Sequence, residues 1–153
     1  MSETSIRRLA VGDIATFRAM NAMFGTAFDD TVTHEDAPSG DFYVESLFAD
    51  PGIVMLAAFA ETEVIGGLVA YELRKYERER AEFYIYDLAV AEPHRRQGIA
   101  TDLIEALKPI AAARGGYVIF VQADYGDDPA IALYTKLGVR EDVLHFDIDT
   151  GAP

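Results

Sequence analysis

The run Arg95-Arg96-Gln97-Gly98-Ile99-Ala100 is the part of this sequence best suited to holding a charged ligand. A helix N-terminus presents unpaired backbone N–H groups and about half a positive charge, and it binds phosphate when the loop before it lets the ligand approach. Gly98 permits that approach. Ala100 keeps the surface open on the first turn, and Arg95 and Arg96 bring charge-assisted hydrogen bonds worth about 1.5–3 kcal/mol each in a partly shielded site. Taken alone, the six residues suit a solvated connection equally well. The chain has no cysteine, which removes disulfides, thiolate metal sites and an acyl-cysteine intermediate together. His34, His94 and His145 have no spacing that suggests a metal site; His94 is expected to support the turn, His34 to be solvated, and His145 to be a strand or pocket residue.

Local patterns predict the elements that would position this turn. Ile6 to Leu9 reads as an opening strand. Asp13 can cap a helix whose apolar residues Ile14, Phe17, Met20, Phe24 and Phe28 recur at helical spacing. Residues 29–40 have no period and many turn formers, so an acidic loop is expected, followed by a short helix from Asp41 to Ala49. Ile53–Phe59 and Val64–Leu73, separated by Glu61-Thr62-Glu63, read as a hairpin, and residues 74–80 as a charged, solvated connection. Glu82 to Val90 reads as a strand that becomes continuously apolar as it enters the core. The helix after Gly98 carries Ile99, Leu103, Ile104, Leu107 and Ile110 and ends at Gly115-Gly116, with Pro109 removing one of its hydrogen bonds. Tyr117–Ala123 reads as a fifth strand. Asp128 is expected to cap a last helix, with Pro129 at its first position and Gly138 closing it, and Val143–Ile148 to form a closing strand.

At 153 residues the chain has the size of one domain, read here as residues 1–153. No apolar run reaches the roughly 18 residues of a membrane span, and the first ten lack a signal-peptide layout, so a soluble, cytoplasmic protein without membrane attachment is expected. The formal charge of -13, from 26 acidic and 13 basic residues, argues against nucleic acid and suits a polycationic ligand, although solubility alone also explains it.

The order of these motifs carries a resemblance. Asp87-Leu88-Ala89-Val90-x-x-x-His94 precedes Arg95-x-x-Gly98-x-Ala100, and Ala130-Ile131-x-Leu133-Tyr134-x-Lys136-x-Gly138 follows. This resembles the GNAT superfamily of acetyltransferases across nearly the whole length. The resemblance implies an α/β fold, with a central, mostly antiparallel mixed sheet of about six to seven strands and about four flanking helices. It implies acetyl-coenzyme A as acetyl donor: Leu88, Ala89 and Val90 pair with the pantetheine amides at a bulge, and Arg95, Arg96, Gln97, Gly98, Ile99, Ala100 and Thr101 hold the pyrophosphate. Asp127, where the family often has asparagine, Ala130 and Tyr134 complete the cofactor contacts. The tyrosine in the place of Tyr134 protonates the departing thiolate. Tyr84 to Val90, His94 to Ala100 and Val121 to Ala130 look, more narrowly, like the type I aminoglycoside 3-N-acetyltransferases. That likeness implies the 3-amino group of gentamicin-like drugs as acceptor, antibiotic resistance, and a homodimer.

Such an acceptor carries several ammonium groups, so its site should be lined with carboxylates. Asp87, beside the thioester, can orient an ammonium group or take its proton; its ordinary pKa near 3.9 makes it a weak base. Glu82, Asp124 beside Tyr125, Asp147 and Asp149 are further candidates, as are the loop acids Asp29, Asp30, Glu35 and Asp36. Direct attack in a ternary complex is the simplest scheme without cysteine. Two other readings stay open on the residues, namely acetylation of a polyamine or another small amine, and an acyl-coenzyme-A-binding module without catalysis.

Overall fold

A computed structural model describes residues 3–36 and 38–153, with the side chains of Glu35 and Asp36 outside the description. In chain order the elements are β1 (Thr4–Arg8), α1 (Ile14–Ala27), a π-helical turn (Val32–Asp36), α2 (Asp41–Ala49), β2 (Ile53–Ala60), β3 (Glu63–Arg74), β4 (Ala81–Val90), a 3-10 turn (Glu92–His94), α3 (Ile99–Ala113), β5 (Gly116–Val121) and α4 (Asp128–Leu137). The chain divides after Gln122 into two compact units, the first holding the whole sheet and the second α4 and the C-terminal segment.

The sheet has five strands in the order β1-β2-β3-β4-β5, antiparallel throughout except for the parallel pair β4–β5. It is thus smaller than the six to seven strands expected. The missing strand is Val143–Ile148, which pairs with nothing among the described residues and leaves Leu144, Phe146 and Ile148 exposed. Its alternation supplies two faces, yet a strand exists only through a partner's hydrogen bonds.

Helices cover both faces of the sheet, so β2 reads as a continuous apolar run with Val54 to Ala58 all buried. Phe17, Met20 and Phe24 of α1 pack with Val44 of α2 on Met55, Ala57 and Val69. Gly67 allows that closeness, since a Cβ there would lie 2.6 Å from the Met20 sulfur. The apolar stripe of α3, with Leu103 and Leu107 fully buried, contacts all five strands. This helix continues through Pro109 to Ala113.

Gly116 begins β5 directly beneath α3. A Cβ there would stand 2.7 Å from the carbonyl oxygen of Ala111 and 2.8 Å from Cδ1 of the fully buried Phe83. Gly116→Ala is therefore expected to lower stability by about 1–3 kcal/mol through overpacking. A urea midpoint equal to that of the parent protein would show that α3 yields without cost.

Three local expectations are corrected. Residues 32–36 form a helical turn rather than loop, because five residues are too few to show a period. Asp13 stands at the N-cap of α1, but its carboxylate accepts from the Ala10 amide and from Arg7, both at 2.8 Å, and not from the helix. The last helix is capped by Asp127, whose Oδ1 accepts from the Ala130 amide at 3.4 Å, and Asp128 lies within the first turn. Gly138 ends that helix in extended backbone. Among the described residues no helix is long and apolar enough to cross a membrane.

Candidate active site

Strands β4 and β5 part halfway along. Their parallel register runs from Ala81 opposite Gly116 to Ile85 opposite Val121 and stops there, whereas β4 stays paired with β3 as far as Val90. At the parting point β4 carries an extra residue: Val69 faces Asp87 and Ala70 faces Ile85, which leaves Tyr86 as a bulge. From Tyr86 to Val90 the described sheet therefore pairs the β4 backbone on one side only. Unpaired amides and carbonyls in a row suit an extended ligand that itself carries amides.

This open edge leads into the basic turn. Arg96 (φ 64°) and Gly98 (φ 80°) both take left-handed backbone, which only glycine adopts without strain. The Nε of Arg95 donates to the Val90 carbonyl at 2.9 Å, fastening the turn to the strand end. The first intrahelical bond runs from the Asp102 amide to the Gly98 carbonyl, so the amides of Ile99, Ala100 and Thr101 lack helical partners, as at any helix start. The residues from Arg95 to Gly98 are exposed, and a Cβ on Gly98 would meet nothing within 4 Å. An open strand edge ending at an exposed helix N-terminus fits the amide arm and the phosphates of coenzyme A.

Asp87 lies one residue past the bulge, with its side chain 27% exposed. Burial pushes its carboxyl above the usual carboxylate range, and His34 offsets part of this. The Nε2 of His34 lies 3.8 Å from Asp87 Oδ2, and its Nδ1 lies 3.0 Å from the Asp30 carbonyl oxygen. Its ring sits against Phe28 and Phe24 at 5.7 and 6.1 Å. The expectation that His34 is solvated is thus corrected: its side chain is only 13% exposed. A lone histidine in an aperiodic acidic stretch gives no sequence signal, because its partners come from α1 and β4.

Beside Asp87 runs a ladder of aromatic rings. Tyr71 packs edge-on against Tyr86 at 5.8 Å, Tyr86 against Tyr84 at 5.7 Å, and Tyr84 stacks on Phe120 at 4.7 Å. Tyr84 also donates to Gln122 Oε1 at 2.7 Å. Tyr86 is 62% exposed and Tyr71 37% exposed, so the ladder presents ring surface to solvent. Two residues apart on one strand, Tyr84 and Tyr86 could have been paired from alternation alone, whereas Tyr71 and Phe120 are brought in by the neighbouring strands. Glu82 is engaged elsewhere, accepting from Tyr117 at 2.9 Å and lying 3.7 Å from Lys75. Lys75 and Arg80 both reach Glu77, and the Arg80 guanidinium covers the Tyr117 ring at 3.9 Å, so the connection expected to be merely solvated is cross-linked by charge.

In the second unit Tyr134 is half-buried on α4, and burial, with the charge of Asp127 adding to it, pushes its phenol up to about 12. Asp124 and Tyr125 stand exposed in the turn before α4, where the Asp124 carbonyl accepts from the Asp127 amide at 3.2 Å. Asp147 is bound to His145 at 2.9 Å, and Asp149 accepts from the Gly151 amide at 2.8 Å. In the first unit, Asp30 accepts from the Thr33 amide at 3.2 Å.

Over residues 17–139 the chain matches the Acetyltransferase (GNAT) family, and it belongs to that family. Its fold is the one expected for that family. Among solved structures it is similar to the aminoglycoside acetyltransferase HMB0005 from an uncultured soil metagenomic sample, at 51% identity and a TM-score of 0.95 over 97% of this chain and 99% of that one. The aminoglycoside acetyltransferase meta-AAC0020, from an uncultured soil metagenomic sample and in complex with sisomicin, is 30% identical, with a TM-score of 0.87 over 95% of each chain. An N-alpha-acetyltransferase of Saccharolobus solfataricus is 28% identical over 107 residues, which are 65% of this chain and 64% of that protein. The match thus spans just under two thirds of the length of that curated relative.

Proposed function

We propose that this enzyme transfers an acetyl group from acetyl-coenzyme A to the 3-amino group of the central deoxystreptamine ring of gentamicin-like aminoglycosides, and thereby confers resistance. One observation carries the acceptor class: the Asp87 side chain lies beside an exposed ladder of tyrosine rings where the sheet opens. A carboxylate draws an ammonium group, and ring faces suit the apolar faces of sugar-like rings. Similarity to HMB0005 over nearly the whole chain supports the same class. The 3-position, a homodimer and a cytoplasmic setting rest on the motif resemblance.

In this reading Leu88, Ala89, Val90 and the turn from Arg95 to Thr101 hold the coenzyme, and the motif resemblance adds Asp127, Ala130 and Tyr134 to the residues proposed to contact it. Acetyl-coenzyme A, once bound, supplies the acetyl carbon as a thioester. Asp87 orients the reacting ammonium, and Tyr134 keeps at Oη the proton that a departing thiol needs. Asp124, Tyr125, Asp147 and Asp149 offer further charge and ring surface to the acceptor, and Glu82, which also accepts from Tyr117, is the remaining carboxylate proposed for it. Per turnover the ammonium nitrogen gives up two protons and gains the acetyl group; one proton leaves with the thiol and the other reaches solvent.

Thiol release measured with gentamicin and spermidine side by side should show turnover with gentamicin at a kcat/KM at least about 100-fold above spermidine, with NMR of the product placing the acetyl on the 3-amino nitrogen. Turnover confined to spermidine would replace this reading by polyamine acetylation, for which the net charge of -13 is the favouring observation.

A further inference from the structure

The acceptor reading leaves open which group takes the proton from the ammonium, and Asp87 is poorly suited to it because accepting that proton would neutralise the charge that holds the ammonium. The π-helical turn brings a better-suited group to the same place. A carbonyl oxygen can only accept, so the 3.0 Å contact between His34 Nδ1 and the Asp30 carbonyl requires the hydrogen on Nδ1. In the neutral ring this leaves the lone pair on Nε2, the atom that faces Asp87. The separation of 3.8 Å between Nε2 and Oδ2 is too long for a direct hydrogen bond, yet a nitrogen about 2.9 Å from each closes an ordinary triangle with them. Phe24 and Phe28 pack tilted against the same ring, with centroids 6.1 and 5.7 Å away.

We propose that His34 is the general base of the acetyl transfer, taking a proton at Nε2 from the ammonium group that Asp87 orients. This rests on the acceptor reading above. The N–H bond of the substrate breaks with its electron pair left on nitrogen, the Nε2–H bond forms, and the resulting imidazolium is stabilised by the Asp87 carboxylate on one side and the Asp30 carbonyl on the other. Solvent then takes the proton from the imidazolium, resetting the base. Imidazole is the side chain whose ordinary range spans neutral pH, which matches a base working there. Among the described side chains the ionisable groups facing it are Asp87 from β4, Asp30 from the turn after α1 and, across Asp87, Tyr71 from β3, whose phenol is raised by burial and then by Asp87.

The test compares the parent enzyme with His34→Gln and His34→Ala in thiol-release assays across pH, with gentamicin as acceptor. His34→Gln is expected to lose about 100-fold or more in kcat at neutral pH, with the gentamicin KM changed less than about threefold, and to lose the acid limb of the parent's kcat profile. Added imidazole should restore part of the rate of His34→Ala, which a packing role would not allow. Parent-like kcat with an unchanged acid limb in His34→Gln overturns the proposal. Should either variant fold poorly by circular dichroism, histidine NMR of the parent decides: the proposal expects the neutral His34 ring to carry its hydrogen on Nδ1 with Nε2 bare, and the opposite tautomer overturns it. A parent enzyme inactive on every aminoglycoside sinks the acceptor reading alone, and the same variants are then read on whichever amine it acetylates.

Discussion

Tyr134→Phe lowers kcat by about 10²–10⁴-fold and leaves the affinity for acetyl-coenzyme A within a few-fold, as expected for loss of a general acid rather than of a binding contact. The substitution removes one oxygen and keeps the ring, so whatever packing α4 obtains from this position survives. A proton donor is useful only if it still holds its proton when the leaving group needs it. Burial, reinforced by Asp127, holds the phenol at about 12, well above its ordinary range, so Tyr134 stays protonated throughout the working pH range. Because the raised value belongs to the folded state, the neutral phenol favours folding below pH 10, and that contribution is lost as pH rises towards 12. Steady-state kinetics beside calorimetric titration with coenzyme A separates the outcomes: unchanged kcat removes the acid role, and a binding loss that matches the loss in kcat/KM makes Tyr134 a cofactor contact only.

The second large effect is on the acceptor side. Asp87→Asn keeps the shape and removes the charge proposed to orient the ammonium, so kcat/KM for gentamicin should fall by about 10–100-fold, in line with the loss of one charge-assisted hydrogen bond. Stability should move the other way. A carboxyl whose folded-state pKa is raised above its unfolded value favours folding at low pH, and that contribution disappears as pH rises through the raised value. Above that value the ionised Asp87 therefore opposes folding, and Asn relieves this, so Tm measured there should hold or rise while activity drops. A variant with parent-like kcat/KM would show that the ammonium binds elsewhere. A variant that loses activity and Tm together would make Asp87 a structural residue.

How far the sequence discloses this architecture follows from the range over which each signal acts. The hairpin around Glu61-Thr62-Glu63, α2 from Asp41 to Ala49 and the stripe of α3 depend on neighbours a few residues apart, and they stand where spacing put them. The Val143–Ile148 strand failed on the same criterion, because its alternation is local and its pairing would be distant. Asp127 and Asp128 differ by one residue in a run where either can precede Pro129, and only backbone geometry chooses the cap. The turn from Arg95 to Ala100 pointed to an anion because glycine and arginine state their chemistry by type. His34 beside Asp87 joins residues about fifty positions apart, and the parting of β4 from β5 is a property of two strands at once; neither is written in any single segment.

That parting has a thermodynamic consequence. A half-strand with one unpaired side is incomplete as a sheet, and a coenzyme lying along Tyr86–Val90 would take the position of a neighbouring strand. Its binding free energy is then also folding free energy: a ligand that binds only the folded chain stabilises it by RT ln(1 + [L]/Kd), about 2.7 kcal/mol when the ligand is at a hundredfold of Kd. On the proposed reading, stability in the cell would thereby be tied to the supply of the acetyl donor, and starvation for that donor would thin the population of folded molecules as well as slow the reaction.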